Sequence, residues 1–300
     1  MLTSLQTRLL LCVVATAMFV LSAQQTRADR ATIRQMLEEK ESAIITLEAV
    51  FDVTVAFGGR QQEYERRSEE VGIVVDPTGL AITSLSSMDP GQFYSRLYGD
   101  DDNDFSTRLK DLKYILPDGT EIPAGISLRD RDFDIVVLRP LEELDEELTY
   151  ISLDDYATAE LLDELYLLGR KGRIARRAIQ AKSIEIESVV ERPRFFYVPG
   201  GYHNDQHLGS LVVNSAGNPV GMVAMYLFPG GAAALGEEDE PVMAVIVPVE
   251  DILDVVEQAR DIEPEAPAPD PDMDIEEDEA DEEEEAELPP VPDAEALPLP

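Results

Sequence analysis

Gly72-Ile-Val-Val-Asp-Pro-Thr-Gly-Leu-Ala-Ile-Thr83 is a pair of apolar runs folded around four turn-forming residues. Ile73–Val75 and Leu80–Ile82 carry the branched aliphatic side chains that suit a pleated surface. Between them, Asp76 can bond its own backbone two residues on, Pro77 presets φ, and Gly79 accepts positive φ. The stretch therefore predicts strand, turn, strand. Working outward, the same pattern returns at Val53–Phe57, Tyr114–Leu116, Ile135–Leu138, Leu165–Leu168, Leu211–Val213, Val220–Tyr226 and Met243–Val247. Pro117-Asp118-Gly119 and Asn214–Asn218 supply further turn signals. Helical periodicity is confined to the edges of this region. It predicts one helix within Thr32–Val50 and another at Val249–Arg260, where Ile252, Val255 and Val256 share a stripe. Short strands between two terminal helices predict an all-β fold of barrel type.

Charge divides the chain. It carries 62 Asp plus Glu against 24 Lys plus Arg, a formal net charge of −38. Residues 261–300 hold 18 acidic and no basic side chains, with nine of the 20 prolines. Residues 1–260 carry the remaining −20. Such a balance argues against nucleic acid as a partner, because that binding relies on Lys and Arg displacing phosphate counterions. The acidic segment cannot bury enough apolar surface to offset its ordering entropy, and the composition predicts a disordered tail over 261–300.

At the other end, Arg8 precedes the apolar run Leu9–Leu21, followed by small residues at Ser22, Ala23 and Ala28. This is the pattern of a secretory signal peptide over residues 1–28. The run is shorter than the roughly 20 residues that span a bilayer, so a membrane association is expected only if the segment stays uncleaved. The expected location is secreted or periplasmic. The single Cys12 lies inside the run, which leaves the mature chain without a thiol and without disulfides.

The order of segments is similar to that of HtrA-type trypsin-like serine proteases. Gly72–Thr83 resembles the strand–turn–strand ahead of that family's catalytic histidine. Ile115–Ala124 resembles a strand pair with an Asp-Gly turn, and Arg129–Leu138 the segment supplying the triad aspartate. Leu211–Met222 resembles the stretch after the catalytic serine, and Ala244–Val249 the last strand with its proline. The resemblance implies two six-stranded antiparallel β-barrels, at 49–150 and 151–260, with a helix over 29–48 before them and a helix closing the second. No PDZ-like domain is expected after it, since the acidic segment stands in that place.

Carried over residue by residue, the resemblance keeps the aspartate as Asp134 and loses the rest of the triad. The histidine position holds Ser86, in Thr83-Ser84-Leu85-Ser86. The nucleophile position holds Leu208, in Gln206-His207-Leu208-Gly209-Ser210. A serine hydroxyl needs a neighbouring base to become nucleophilic, and Leu208 offers no nucleophilic atom. The expectation is a pseudoprotease that binds a peptide or protein partner. One alternative is a hydrolase with a rearranged site, using Ser210 with His207 or His203. Another is a structural or cation-binding envelope protein acting through its tail.

The other candidate residues are weighed on their own chemistry. His203 and His207 are the only histidines, and their i, i+4 spacing would bring both to one metal only on a helix. They follow Pro199-Gly200-Gly201, which predicts a loop, so no metal site is expected. Gly200-Gly201 and Gly230-Gly231 lack the Gly-Lys-Ser/Thr of a phosphate loop, and no cofactor is expected. Arg170, Lys171, Arg173, Arg176 and Arg177 concentrate five positive charges in eight residues. They read either as a solvated hairpin of the second barrel or as a binding patch for an anionic partner, including the chain's own acidic tail. A homo-oligomer is compatible with the resemblance, whose members are commonly trimers.

Overall fold

The computed structural model describes residues 30–57, 60–89, 91, 93, 105–201, 207–228 and 242–267. All of them belong to one unit, Met1–Ala268. Residues 1–28, expected to be a signal peptide, and most of the acidic tail lie outside the described residues, as do His203, Gln206 and the Gly230-Gly231 stretch.

Two closed six-stranded antiparallel barrels form the body. The first contains β1 (Ile44–Phe57), β2 (Arg60–Val74), β3 (Ala81–Ser84), β4 (Phe105–Ile115), β5 (Glu121–Asp130) and β6 (Ile135–Pro140), in the order β1-β2-β3-β6-β5-β4. The second contains β7 (Glu164–Arg170), β8 (Ile179–Val190), β9 (Phe196–Pro199), β10 (Leu211–Val213), β11 (Pro219–Leu227) and β12 (Val242–Pro248), in the order β10-β11-β12-β9-β8-β7. Helix α1 (30–40) precedes the first barrel, the short α2 (Leu85–Met88) follows β3, and α3 (Val249–Ala259) follows β12. This is the trypsin-like double barrel.

The opening stretch folds as its residues dictate. β2 and β3 pair through Ile73 and Ile82. In the turn, the Thr78 N–H and hydroxyl both donate to Asp76 Oδ1, at 2.7 and 2.6 Å, and Gly79 adopts φ +92°. A side chain at Gly79 would also strike Pro140 at 2.8 Å, so glycine is demanded by space as well as by backbone angle.

Two boundaries differ from the sequence expectation. The first helix does not reach residue 48 or 50; it ends at 40, a 3₁₀ turn covers Glu41–Ala43, and β1 begins at Ile44. The first barrel therefore starts before residue 49. Ile44, Ile45, Leu47 and Ala49 are fully buried, and barrel closure rather than local periodicity decides their state. At the other end, the chain does not leave the body at residue 261. Glu265 bridges Ile126 of β5 through both backbone bonds, 2.9 and 3.1 Å, and its carboxylate meets Arg129 at 3.0 Å. Gly125 permits this: a Cβ there would lie 2.6 Å from the Glu265 carbonyl oxygen.

One apolar cluster joins both barrels and both terminal helices. It includes Ile33 of α1, Ile44 and Leu138 of the first barrel, Leu211 and Met222 of the second, and Ile252 of α3. A second cluster fills the second barrel around Ile186, Tyr197 and Ile246. Burying each such aliphatic side chain contributes about 1.5–3 kcal/mol. The packing fixes the two barrels against each other and so fixes the cleft.

The β7–β8 hairpin adds a polar seam. Arg170 donates to the carbonyl oxygens of Ile44, Glu41 (3.0 Å) and Arg177 (2.8 Å), and its side chain is only 5% exposed. Arg173 reaches Glu48 at 2.6 Å and Glu69 at 3.0 Å, while Arg177 meets Glu69 at 2.5 Å. Two of the five cations in the patch thus face carboxylates of the first barrel, and a third, Arg170, pairs with Glu41 of the 3₁₀ turn ahead of it.

Glu70 of β2, opposite Leu47, is set apart from these pairs. Burial raises its pKa from 4.5 to about 7, against a smaller pull downward from Arg66. Between those values the folded chain keeps a proton that the unfolded chain has released. Its stabilising contribution is complete below pH 4.5 and is lost as pH rises through about 7. In urea titrations at pH 5 and pH 8, the wild type is expected to lose stability at the higher pH. Glu70→Gln should flatten that difference and raise the pH 8 midpoint.

Candidate functional site

The cleft residues are positioned by β3, α2, the β5–β6 turn and β11. Ser84 ends β3 and caps α2, its Oγ accepting from the Ser87 N–H at 3.3 Å. One residue into that helix stands Ser86. Asp134 sits in the turn before β6, with φ 58°, a left-handed conformation that Asp tolerates better than most residues. The Leu85 N–H donates to its carbonyl oxygen at 2.9 Å, which ties the turn to α2.

The Asp134 carboxylate is 3% exposed and fully engaged. Oδ1 accepts the Ser86 N–H at 2.7 Å and the Ser86 hydroxyl at 2.5 Å. Oδ2 accepts the Ser84 hydroxyl at 2.6 Å and the Met225 N–H of β11 at 2.8 Å. Burial pushes this carboxyl above its ordinary value, while the two hydroxyls and two amides hold it back. Position 86 and position 134, paired by the sequence reading, are therefore in direct contact. The serine hydroxyl at 86 acts as a donor to the carboxylate. It cannot accept a proton from a nucleophile at neutral pH.

Around position 208 the geometry is equally specific. Leu208 packs against the second-barrel cluster. The Gly209 N–H donates to the Val223 carbonyl oxygen at 2.8 Å and the Ser210 N–H to the His207 carbonyl oxygen at 3.0 Å. Those two amides are held by backbone acceptors. Gly209 has φ +77°, and a Cβ there would lie 2.4 Å from Thr83 Oγ1, so only glycine lets this loop approach the first barrel. Ser210 is 4% exposed, with its hydroxyl against Gly169. The His207 Nδ1 lies 3.3 Å from Gln180 Nε2.

Beside this network runs an open strand edge. Val223 exchanges backbone bonds with Ser210 and Gly209 on the side away from β12. Backbone groups alternate along a strand, so those of Met225 and Leu227 face the same side. There the Met225 N–H goes to Asp134, and no described strand pairs with Met225–Leu227 across that edge. A cavity of about 350 Å³ adjoins it, lined by Arg131, Asp132, Pro193, Arg194, Met225, Tyr226 and Leu227.

Among the described residues, no group of three or more His, Cys, Asp or Glu side chains is arranged to hold a metal ion. No helix among them is long and apolar enough to cross a membrane. Of the basic patch, Arg170, Arg173 and Arg177 contact the first barrel, whereas Lys171 and Arg176 are exposed. Ser84 and Met225 were not singled out by sequence. Ser84 belongs to the polar run Ser84-Leu85-Ser86-Ser87, a signal that a buried acceptor nearby would use. Met225 contributes only a backbone N–H, which leaves no side-chain trace.

No protein-family model matches this sequence, and no curated protein shows significant similarity to it. The double barrel itself fits the chymotrypsin-like arrangement.

Replacing Asp134 by Asn would set an amide NH₂ against donors that now meet a carboxylate oxygen. One buried backbone N–H, of Ser86 or Met225, would lose its acceptor. Asp134→Asn is expected to cost about 2–3 kcal/mol in urea denaturation. Ser86→Ala, which leaves the Ser86 N–H bond in place, should cost less than half as much.

Proposed function

We propose that this chain is an exported, non-catalytic relative of HtrA-type trypsin-like proteases that binds extended peptide segments of a partner protein. The observation that carries this reading is the Asp134 network. The carboxylate that would orient a histidine is occupied by the Ser84 and Ser86 hydroxyls and by the Met225 N–H. Leucine at 208, whose side chain has no nucleophilic atom, supports the loss of acyl transfer chemistry.

The open β11 edge supports the retained binding role. A strand adding to Met225–Leu227 would find the Met225 carbonyl and the Leu227 N–H and carbonyl facing it, with the adjoining cavity to receive a side chain. Main-chain bonds supply affinity in such recognition, and pockets for alternate side chains supply selectivity. Export rests on the N-terminal segment, with its basic flank and short apolar run.

Two measurements test the halves separately. A fluorophosphonate probe is expected to leave the purified protein unlabelled; labelling that vanishes in Ser210→Ala would overturn the non-catalytic reading. Peptides selected from a displayed library should shift the Leu227 amide resonance, and Leu227→Pro, which removes that N–H, should weaken them at least about tenfold. Selected peptides that bind Leu227→Pro as tightly as wild type would refute strand addition.

A further inference from the structure

We propose that the open edge of β2 pairs with the same edge of a second copy of this chain, antiparallel and about a two-fold axis. β2 runs from Arg60 to Val74, yet β3 pairs with it only at Ile73 and Val74. β1 covers the opposite side of β2 along its whole length, without a register shift. On the β3 side no described strand meets Arg60–Glu70, so most of β2 is an edge.

The pleat decides which backbone groups that edge presents. The Val75 N–H donates to the Leu80 carbonyl oxygen at 2.8 Å, and the Val71 carbonyl oxygen accepts the Thr83 hydroxyl at 2.6 Å, both on the β3 side. Backbone direction alternates along a strand, so Glu69, Arg67, Glu65 and Glu63 turn their N–H and C=O groups to that side as well. Thr83 closes the edge at Val71, and the open stretch Arg60–Glu70 is centred on Glu65. A two-fold partner must set outward residues against outward residues, so the axis passes through a residue rather than between two.

With Glu65 on the axis the whole open stretch is paired, and Glu63 of each copy lies opposite Arg67 of the other. Tyr64, 51% exposed, lies opposite Arg66, where a guanidinium can cover its ring. The one like-charged contact, Glu65 against its own copy, has Lys110 3.4 Å from each carboxylate. An axis through Tyr64 instead sets Glu63 against Glu65 on both sides. One through Arg66 sets that arginine against itself and Glu63 against Glu69 twice. Like charges directly opposite are destabilising. Full overlap and charge match therefore select the same register. Charges on an edge strand ordinarily discourage pairing with another chain. Here their order makes the strand complementary to itself.

The contact is one strand wide, so sedimentation of the full chain over about 1–100 µM should show monomer passing to dimer. Glu63→Arg should weaken that dimer at least about tenfold, and adding Arg67→Glu should restore it. Register is read by cross-linking in a Cys12→Ser background, which has no other thiol. Residues that exchange both backbone bonds have Cα atoms about 5.5 Å apart, within disulfide reach. Glu65→Cys is therefore expected to form a linked dimer on mild oxidation, far faster than Tyr64→Cys or Arg66→Cys, which lie off the axis. Should Arg67→Glu fail to fold beside Glu48, Glu63→Arg and Glu65→Cys still decide. A monomer at every concentration overturns the proposal. A dimer that Glu63→Arg leaves unchanged, or cysteines that link equally well at all three positions, overturns it too.

Discussion

The Asp134 carboxylate ties elements of both barrels together at the cleft. Ser84 and Ser86 belong to the first barrel, Met225 to the second, and all three donate to one buried group. A carboxylate removed from water is tolerated only when its oxygens are filled, and here four donors fill them. The requirement holds β3, α2, the β5–β6 turn and β11 in one arrangement. The conformation of the cleft follows from that need for satisfaction, whether or not any chemistry is performed there.

The charged seam works on the same logic over a wider area. Glu48 is buried beside Arg173, Arg177, Lys113 and Arg67, and Glu69 is shared by Arg173 and Arg177. Burial would raise the Glu69 pKa, but the two arginines outweigh it and hold the carboxyl below its usual range. In a chain of net charge −38, three members of the densest run of cations are thus engaged by the molecule's own carboxylates and carbonyls. What it leaves over, Lys171 and Arg176, is exposed.

The parts of the fold legible in the sequence are those whose chemistry is local. Asp76-Pro-Thr-Gly79 bonds within itself, so its turn can be read without knowing what surrounds it. β5 hides behind Pro123 and Gly125, two residues that weaken a strand signal, and the start of β2 behind the charged run Arg60–Glu70. Ile44–Val50 reads as the end of a helix because its apolar residues fit a helical stripe; pairing with β2 and β4 makes it a strand instead. At the site, Ser86, Asp134 and Leu208 are marked out by the resemblance to the protease family's motifs. The partners of the arginines are not, since Arg173 and Glu48 are separated by 125 positions and nothing in either neighbourhood names the other. Met225 was invisible for a different reason, because its contribution is an amide that every residue but proline possesses.

Each barrel is also held by a segment that belongs to the other in chain order. Helix α1 runs into the first barrel yet lays Met36 over Gly217 in the second. Helix α3 leaves the second barrel, packs on β5 and β6 of the first, and delivers Glu265 to Ile126. The two ends cross like the halves of a buckle. A peptide of the proposed kind would meet walls tied at both ends, so little entropy would remain to be surrendered on docking. Discrimination there would come from fit to a fixed shape instead of closure around whatever arrives.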